Sequence, residues 1–78
     1  MTRKIKLIWD FRGPNSLKIA EHHAIHLKEY TQIEKLHFYE IETSNISEMY
    51  TIAYLIIDEI DMATCREKLK PHRGQVAT

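Results

Sequence analysis

The chain has 78 residues, in which eleven Lys and Arg are cancelled by eleven Asp and Glu, with a single cysteine and 44% hydrophobic residues. A balanced charge removes the uniform attraction to phosphate that drives most nucleic-acid binding, so nucleic acid is not expected as a partner. One cysteine, Cys65, excludes an intrachain disulfide and a cysteine-based zinc knuckle.

Such a length makes one domain, residues 1–78, at the size where a single core is barely sufficient and association with a partner is a common remedy. The start, MTRKIKLIWDF, is basic, but Lys6 and Asp10 break its apolar run, so it does not read as a secretory signal. No stretch approaches the ~20 apolar residues of a membrane span, and cytoplasmic residence with no membrane partner is the expectation.

Lys4 to Phe11 alternates, with Ile5, Leu7, Trp9 and Phe11 on one side, which predicts a first strand buried on one face. Arg12-Gly13-Pro14-Asn15-Ser16 supplies a turn, and either Asn15 or Ser16 can cap the helix that follows. That helix, Ser16 to about Thr31, gathers Leu17, Ile19, Ala20, His23, Ala24, Leu27, Tyr30 and Thr31 on one broad arc suited to packing on a sheet. Ile33 to Thr43 predicts a second strand with Leu36 and Phe38 on one side and His37, Tyr39 and Ile41 on the other. Ser44 to Glu48 reads as the connection to a third strand, Met49 to Ile57, apolar on both faces and hence central.

Asp61 is placed to cap a second helix running to about Lys70, with Ile60 and Cys65 at the spacing of a hydrophobic staple. Pro71 ends it, and the remaining tail has room for at most a short fourth strand. The order is β-α-β-β-α, an α+β class matching the ferredoxin-like split βαβ arrangement, with two helices on one face of an antiparallel sheet. Strands one and three lie in the middle if the tail pairs as a fourth strand.

Two helices cover only one face of such a sheet. The other carries Ile8 and one of the two apolar sides of the third strand, Tyr50, Ile52, Tyr54 and Ile56 or Thr51, Ala53, Leu55 and Ile57. Burying three large side chains there contributes about 5–9 kcal/mol before the cost of association, so a homodimer through the helix-free face is expected. The strand order, the His22-x-x-x-His26-Leu27 run and the acidic break Asp58-Glu59 resemble the small dimeric α+β-barrel proteins of the YciI-like group. The resemblance implies a face-to-face dimer and a small-molecule pocket between helix and sheet, and it carries no catalytic residue across.

Three constellations are capable of chemistry. His22 and His26 stand one helical turn apart with Glu29 on the same side, a two-histidine, one-carboxylate set for a divalent metal. His23 faces the sheet and, with Trp9 and Tyr54, would line a ligand pocket in which an imidazole could accept or donate a proton. Arg12, Gly13 with the free amides that follow it at the helix start, His72 and Arg73 fall at the same end of the domain and would suit an anion. Against each stands a plainer account: a solvated polar edge, a packed histidine, and a turn beside a helix end. The functional expectation is a homodimerising structural or binding module without a cofactor. The alternative is a small enzyme or small-molecule carrier using the His23 pocket, or the His22/His26 metal site.

Overall fold

The computed structural model describes residues 3–77. Its elements run β1 (Lys4–Arg12), α1 (Ser16–Ile33), β2 (Phe38–Ser47), β3 (Tyr50–Asp58), a 3-10 turn (Glu59–Asp61), α2 (Met62–Leu69) and β4 (Arg73–Val76). The class is α+β: one four-stranded, wholly antiparallel sheet in the order β2-β3-β1-β4, with two helices. The tail does pair, as β4, so β1 and β3 are the inner strands. Among the described residues no helix is long and apolar enough to cross a membrane.

The alternation in β1 sets the core. Ile5, Leu7 and Trp9 point to the side where Ala24 and Leu27 of α1, Cys65 of α2, Ile41 of β2 and Leu55 and Ile57 of β3 close around them. Because both helices contribute to this one cluster, they share a face of the sheet. Each fully buried Leu or Ile contributes about 1.5–3 kcal/mol, so truncation of Leu55 or Ile57, both 0% exposed, is expected to cost about 2–5 kcal/mol.

In α1 the predicted arc is narrower than expected. Ala20, Ala24, Leu27 and Thr31 are buried, whereas Leu17 and Ile19 remain 44% and 48% exposed. Ser16 takes the inner position in the first turn, where its hydroxyl and that of Thr51 share a buried hydrogen bond of 3.1 Å. That bond explains why Ser16 does not cap the helix, and Asn15 contributes its carbonyl to Ile19 N–H rather than its side chain. The helix ends without glycine. Lys35 adopts φ 52°, its N–H donates to Gln32 and that of Leu36 to Thr31, the paired bonds of a Schellman stop, and Leu36 packs against the core.

The strand β2 departs from simple alternation. A bulge between Phe38 and Glu40 leaves Tyr39 as the extra residue, so Phe38, opposite Ile57, and Ile41, opposite Leu55, share the helix-facing side. The expectation that Ile41 opposes Phe38 fails for that reason. The strand also extends through the segment read as a connection, to Ser47, leaving Glu48 and Met49 as a two-residue turn. A second bulge sets Ile46 aside, 55% exposed.

The helix α2 is short. The expected staple does not form: Cys65 is buried, but Ile60 lies in the 3-10 turn and is 81% exposed. What fixes α2 is its far end, where the Trp9 indole N–H donates to the Leu69 carbonyl at 3.1 Å. Lys70 follows at φ 48°, and His72 N–H then donates to the Ile8 carbonyl, starting the return along β1.

The helix-free face is not the apolar surface that the sequence suggests. Thr51, Ala53, Leu55 and Ile57 turn to the helices, leaving Tyr50, Ile52, Tyr54 and Ile56 outside, yet Ile8 is 2% and Ile52 8% exposed within a single chain. Charged side chains cover them in a repeating pattern. Lys4 lies over the Tyr39 ring, Lys6 over Tyr54 and Arg12 over Tyr50, each cation 4.1–4.3 Å from the ring centroid. The three hydroxyls donate to Asp58, Glu40 and Asp10 respectively. Each tyrosine is thus held between a cation and a carboxylate, and the apolar drive expected for a second sheet is largely satisfied internally.

Candidate functional site

The residues singled out from the sequence are partly brought together. Arg12, His72 and Arg73 do converge, but on Asp10, a carboxylate that the sequence reading left out. Arg73 makes a forked contact to Asp10 at 3.0 and 3.1 Å, Tyr50 donates to the same carboxylate, and Arg12 stacks on Tyr50. The Asp10 backbone N–H donates to His72 Nδ1 at 2.8 Å, which leaves the neutral ring's proton on Nε2. The Arg73 guanidinium, followed by the Tyr50 hydroxyl, holds the Asp10 carboxyl below its ordinary range. The Gly13 amide is spent on the Met49 carbonyl at 2.7 Å. This corner is a satisfied ion-pair network, with its donors already directed inward.

The trio Trp9, His23 and Tyr54 is divided by the sheet. Trp9 and His23 meet on the helix side, ring centroids 4.8 Å apart, with Phe11 5.4 Å from His23, while Tyr54 is on the opposite face bonded to Glu40. Trp9 is 3% exposed, so packed rings occupy the space in which a pocket was expected. The Nε2 atom of His23 is buried there with no hydrogen-bond partner among the described residues. Burial first, and the charges of His26, His72 and His22 after it, push the His23 pKa down.

The third set assembles as the helical spacing requires. His22 Nε2 and His26 Nε2 lie 2.9 Å apart, and His26 Nδ1 is 3.1 Å from Glu29 Oε1. Glu29 therefore sits behind His26 rather than beside the pair's shared point, and no cluster of three His, Cys, Asp or Glu suited to a metal occurs among the described residues.

A different feature has the shape of a binding site. Between α2 and β4 lies a half-enclosed cleft of about 470 Å³. Ile5 and Leu7 of β1 lie beneath it, 5% and 0% exposed, and Met62, Pro71 and Val76 supply its accessible apolar walls. The cleft exists because α2 has only eight residues and β4 only four, and because Gly74, opposite Leu7, brings no side chain to the helix-facing side. A Cβ at Gly74 would already stand 3.4 Å from Leu7 Cδ2. Two guanidinium groups, Arg3 and Arg66, share the rim with one carboxylate, Glu59, while the Arg73 side chain turns to the opposite face of the sheet. Arg3 is paired with Glu59 and Arg73 with Asp10, whereas the Arg66 guanidinium has no hydrogen bond or ion pair among the described residues. The sequence reading missed Arg66 and Gly74. The signal for both was present in the shortness of the second helix and the lone glycine of the tail, but not the depth of the space between them.

No family model matches the chain, and neither a curated protein nor a solved structure does so. The site's chemistry must therefore be read from its own residues. Apolar walls and one uncommitted guanidinium, Arg66, together suit a ligand with a short hydrocarbon body and an anionic head. Cys65 does not add a nucleophile, since burial pushes its thiol pKa up and it is 1% exposed.

Proposed function

We propose that this domain binds a small organic anion, a carboxylate with a short apolar body, in the cleft between α2 and β4. The observation that carries the reading is the coincidence of accessible apolar walls, Met62, Pro71 and Val76, with the unpaired Arg66 on the same rim. The carboxylate takes Arg66, and the hydrocarbon lies against Met62 and Val76 along Gly74. This is the small-molecule carrier anticipated as an alternative from the sequence, moved from the His23 side of the core to the α2 side. No catalytic residue is assigned to it.

The test is a ¹⁵N-detected NMR titration with hexanoate, run beside 1-hexanol. Amide shifts concentrated at Leu7, Arg66, Gly74 and Val76, stronger for the acid than for the alcohol, are expected. An Arg66→Gln variant should bind hexanoate at least about fivefold more weakly, roughly 1 kcal/mol for an ion pair at a half-open site. Equal response to acid and alcohol, or an Arg66→Gln variant that binds as the parent does, contradicts the reading.

The architecture is read as the ferredoxin-like split βαβ arrangement, a reading supported by the antiparallel order β2-β3-β1-β4 with both helices contributing to one core cluster. Kinship with the YciI-like group rests on strand order and the His22-x-x-x-His26-Leu27 run. A homodimer through the helix-free face needs an apolar drive that Ile8 and Ile52, already shielded within one chain, supply only weakly.

A further inference from the structure

We propose that His22 and His26 form a two-nitrogen site for a divalent transition-metal ion, copper(II) foremost, with Glu29 as the group that orients the second ligand. The site is separate from the cleft, on the exposed side of α1, and does not depend on ligand binding there.

The hydrogen bonding fixes which atoms are available. A carboxylate can only accept, so Glu29 Oε1 at 3.1 Å takes a proton from His26 Nδ1. A neutral His26 is then left with a bare lone pair on Nε2, and His22 Nε2–H donates to it at 2.9 Å. The two Nε2 atoms thus face each other on the same side of α1, with the imidazole planes at 86°, and a turn of the rings that breaks this bond presents both lone pairs to one ion. The arrangement behind His26, carboxylate to Nδ1 with Nε2 free to bind, is the one by which outer carboxylates set the tautomer of metal-binding histidines and raise their basicity.

The spacing also says which geometry fits. Two imidazole nitrogens each about 2.05 Å from an ion are about 2.9 Å apart when they subtend about 90°, and about 3.3 Å apart at the tetrahedral angle. The observed 2.9 Å is the length of the hydrogen bond between the rings, and with that bond broken the same separation lets the two nitrogens take adjacent positions on a square-planar or octahedral ion. Among divalent first-row ions copper(II) combines that geometry with the highest affinity for nitrogen donors. On binding, the hydrogen bond between the two rings breaks and the ion takes a lone pair from each Nε2, to one side of the line between them. The His22 proton moves from Nε2 to Nδ1, so the rings stay neutral and the remaining coordination positions are filled by water.

The experiment is a titration of the full chain with copper(II), followed by electron paramagnetic resonance and calorimetry. One ion per chain with coupling to two imidazole nitrogens is expected. His22→Ala and His26→Ala should each weaken binding at least about tenfold, and Glu29→Gln by up to about tenfold, the lower end of what loss of an orienting carboxylate costs. His37→Ala, on a separate segment, should leave the affinity unchanged. His26 and Glu29 are 59% and 60% exposed, so these variants keep the fold, which far-UV circular dichroism checks. Unchanged affinity in His26→Ala, or an equal loss in His37→Ala, overturns the proposal.

Discussion

Gly74 of β4 stands opposite Leu7 of β1 with its missing side chain on the helix-facing side, so that an added Cβ meets Leu7 Cδ2 at 3.4 Å. The glycine is there for space rather than for backbone freedom, since Gly13 is the glycine with positive φ, at 116°. A side chain at position 74 would enter the cleft. Gly74→Val should therefore keep the fold, because a strand accommodates valine, and lose hexanoate binding by tenfold or more. The same NMR titration reads both effects. A variant that binds as tightly as the parent places the ligand elsewhere.

His23 leaves a buried ring nitrogen unpartnered between Trp9 and Phe11. Such an atom costs about 1–3 kcal/mol, and phenylalanine keeps the ring contacts without it. His23→Phe is expected to gain about 1 kcal/mol and to raise the melting temperature by about 4–8 °C. The pH dependence has a definite sign. The folded pKa lies below the ordinary value, so the unfolded chain binds the proton first and stability falls as pH drops from about 6.5 through the lower folded value. His22, His26 and His72 act on the ring in the same direction. Melting curves between pH 4 and 8 should show a shallower acid slope for His23→Phe, and an unchanged slope would show that His23 is not the source.

Lys35 closes α1 in a left-handed conformation, φ 52°, that costs a side chain roughly 1 kcal/mol and costs glycine nothing. Glycine's greater freedom in the unfolded chain offsets part of the gain. Lys35→Gly should therefore stabilise by about 0.5 kcal/mol, seen as a higher urea midpoint at unchanged slope. A lower midpoint would mean that the Lys35 side chain contributes more than its backbone costs.

On the helix-free face the bond to Glu40 pushes the Tyr54 pKa up to about 12. A raised phenol favours the folded state below about pH 10, and that contribution is lost as pH rises through 12. Absorbance at 295 nm should show Tyr54 titrating late, beside the raised Tyr39 and Tyr30, and Glu40→Gln should return Tyr54 toward 10. Failure of Glu40→Gln to move any tyrosine breaks the assigned pairing.

Much of the fold was legible because period and burial agree. Strand β1 alternates with almost no irregularity, α1 follows its apolar arc, and Pro71 ends the second helix, so order and class follow from the residues alone. What was not legible is where a local device overrides the period. The bulge at Tyr39 puts Phe38 and Ile41 on one side, and Ser16 displaces Leu17 and Ile19 by pairing with Thr51. The helix-free face misled for another reason. Hydrophobicity counts Tyr50 and Tyr54 as grease, whereas each ring lies under a cation and each hydroxyl on a carboxylate. At the site, the histidine pair was readable from helical spacing, but the cleft is a property of two short elements that fail to meet, and no residue spacing records a gap.

An apolar-bodied anion seated between α2 and β4 is seen most directly through intermolecular nuclear Overhauser effects from methyl-labelled protein to hexanoate. Contacts from the ligand chain to the methyl groups of Ile5, Met62 and Val76 are expected. Contacts instead to Ile25 and Ile33 on the outer side of α1, or none at saturating ligand, would contradict this placement.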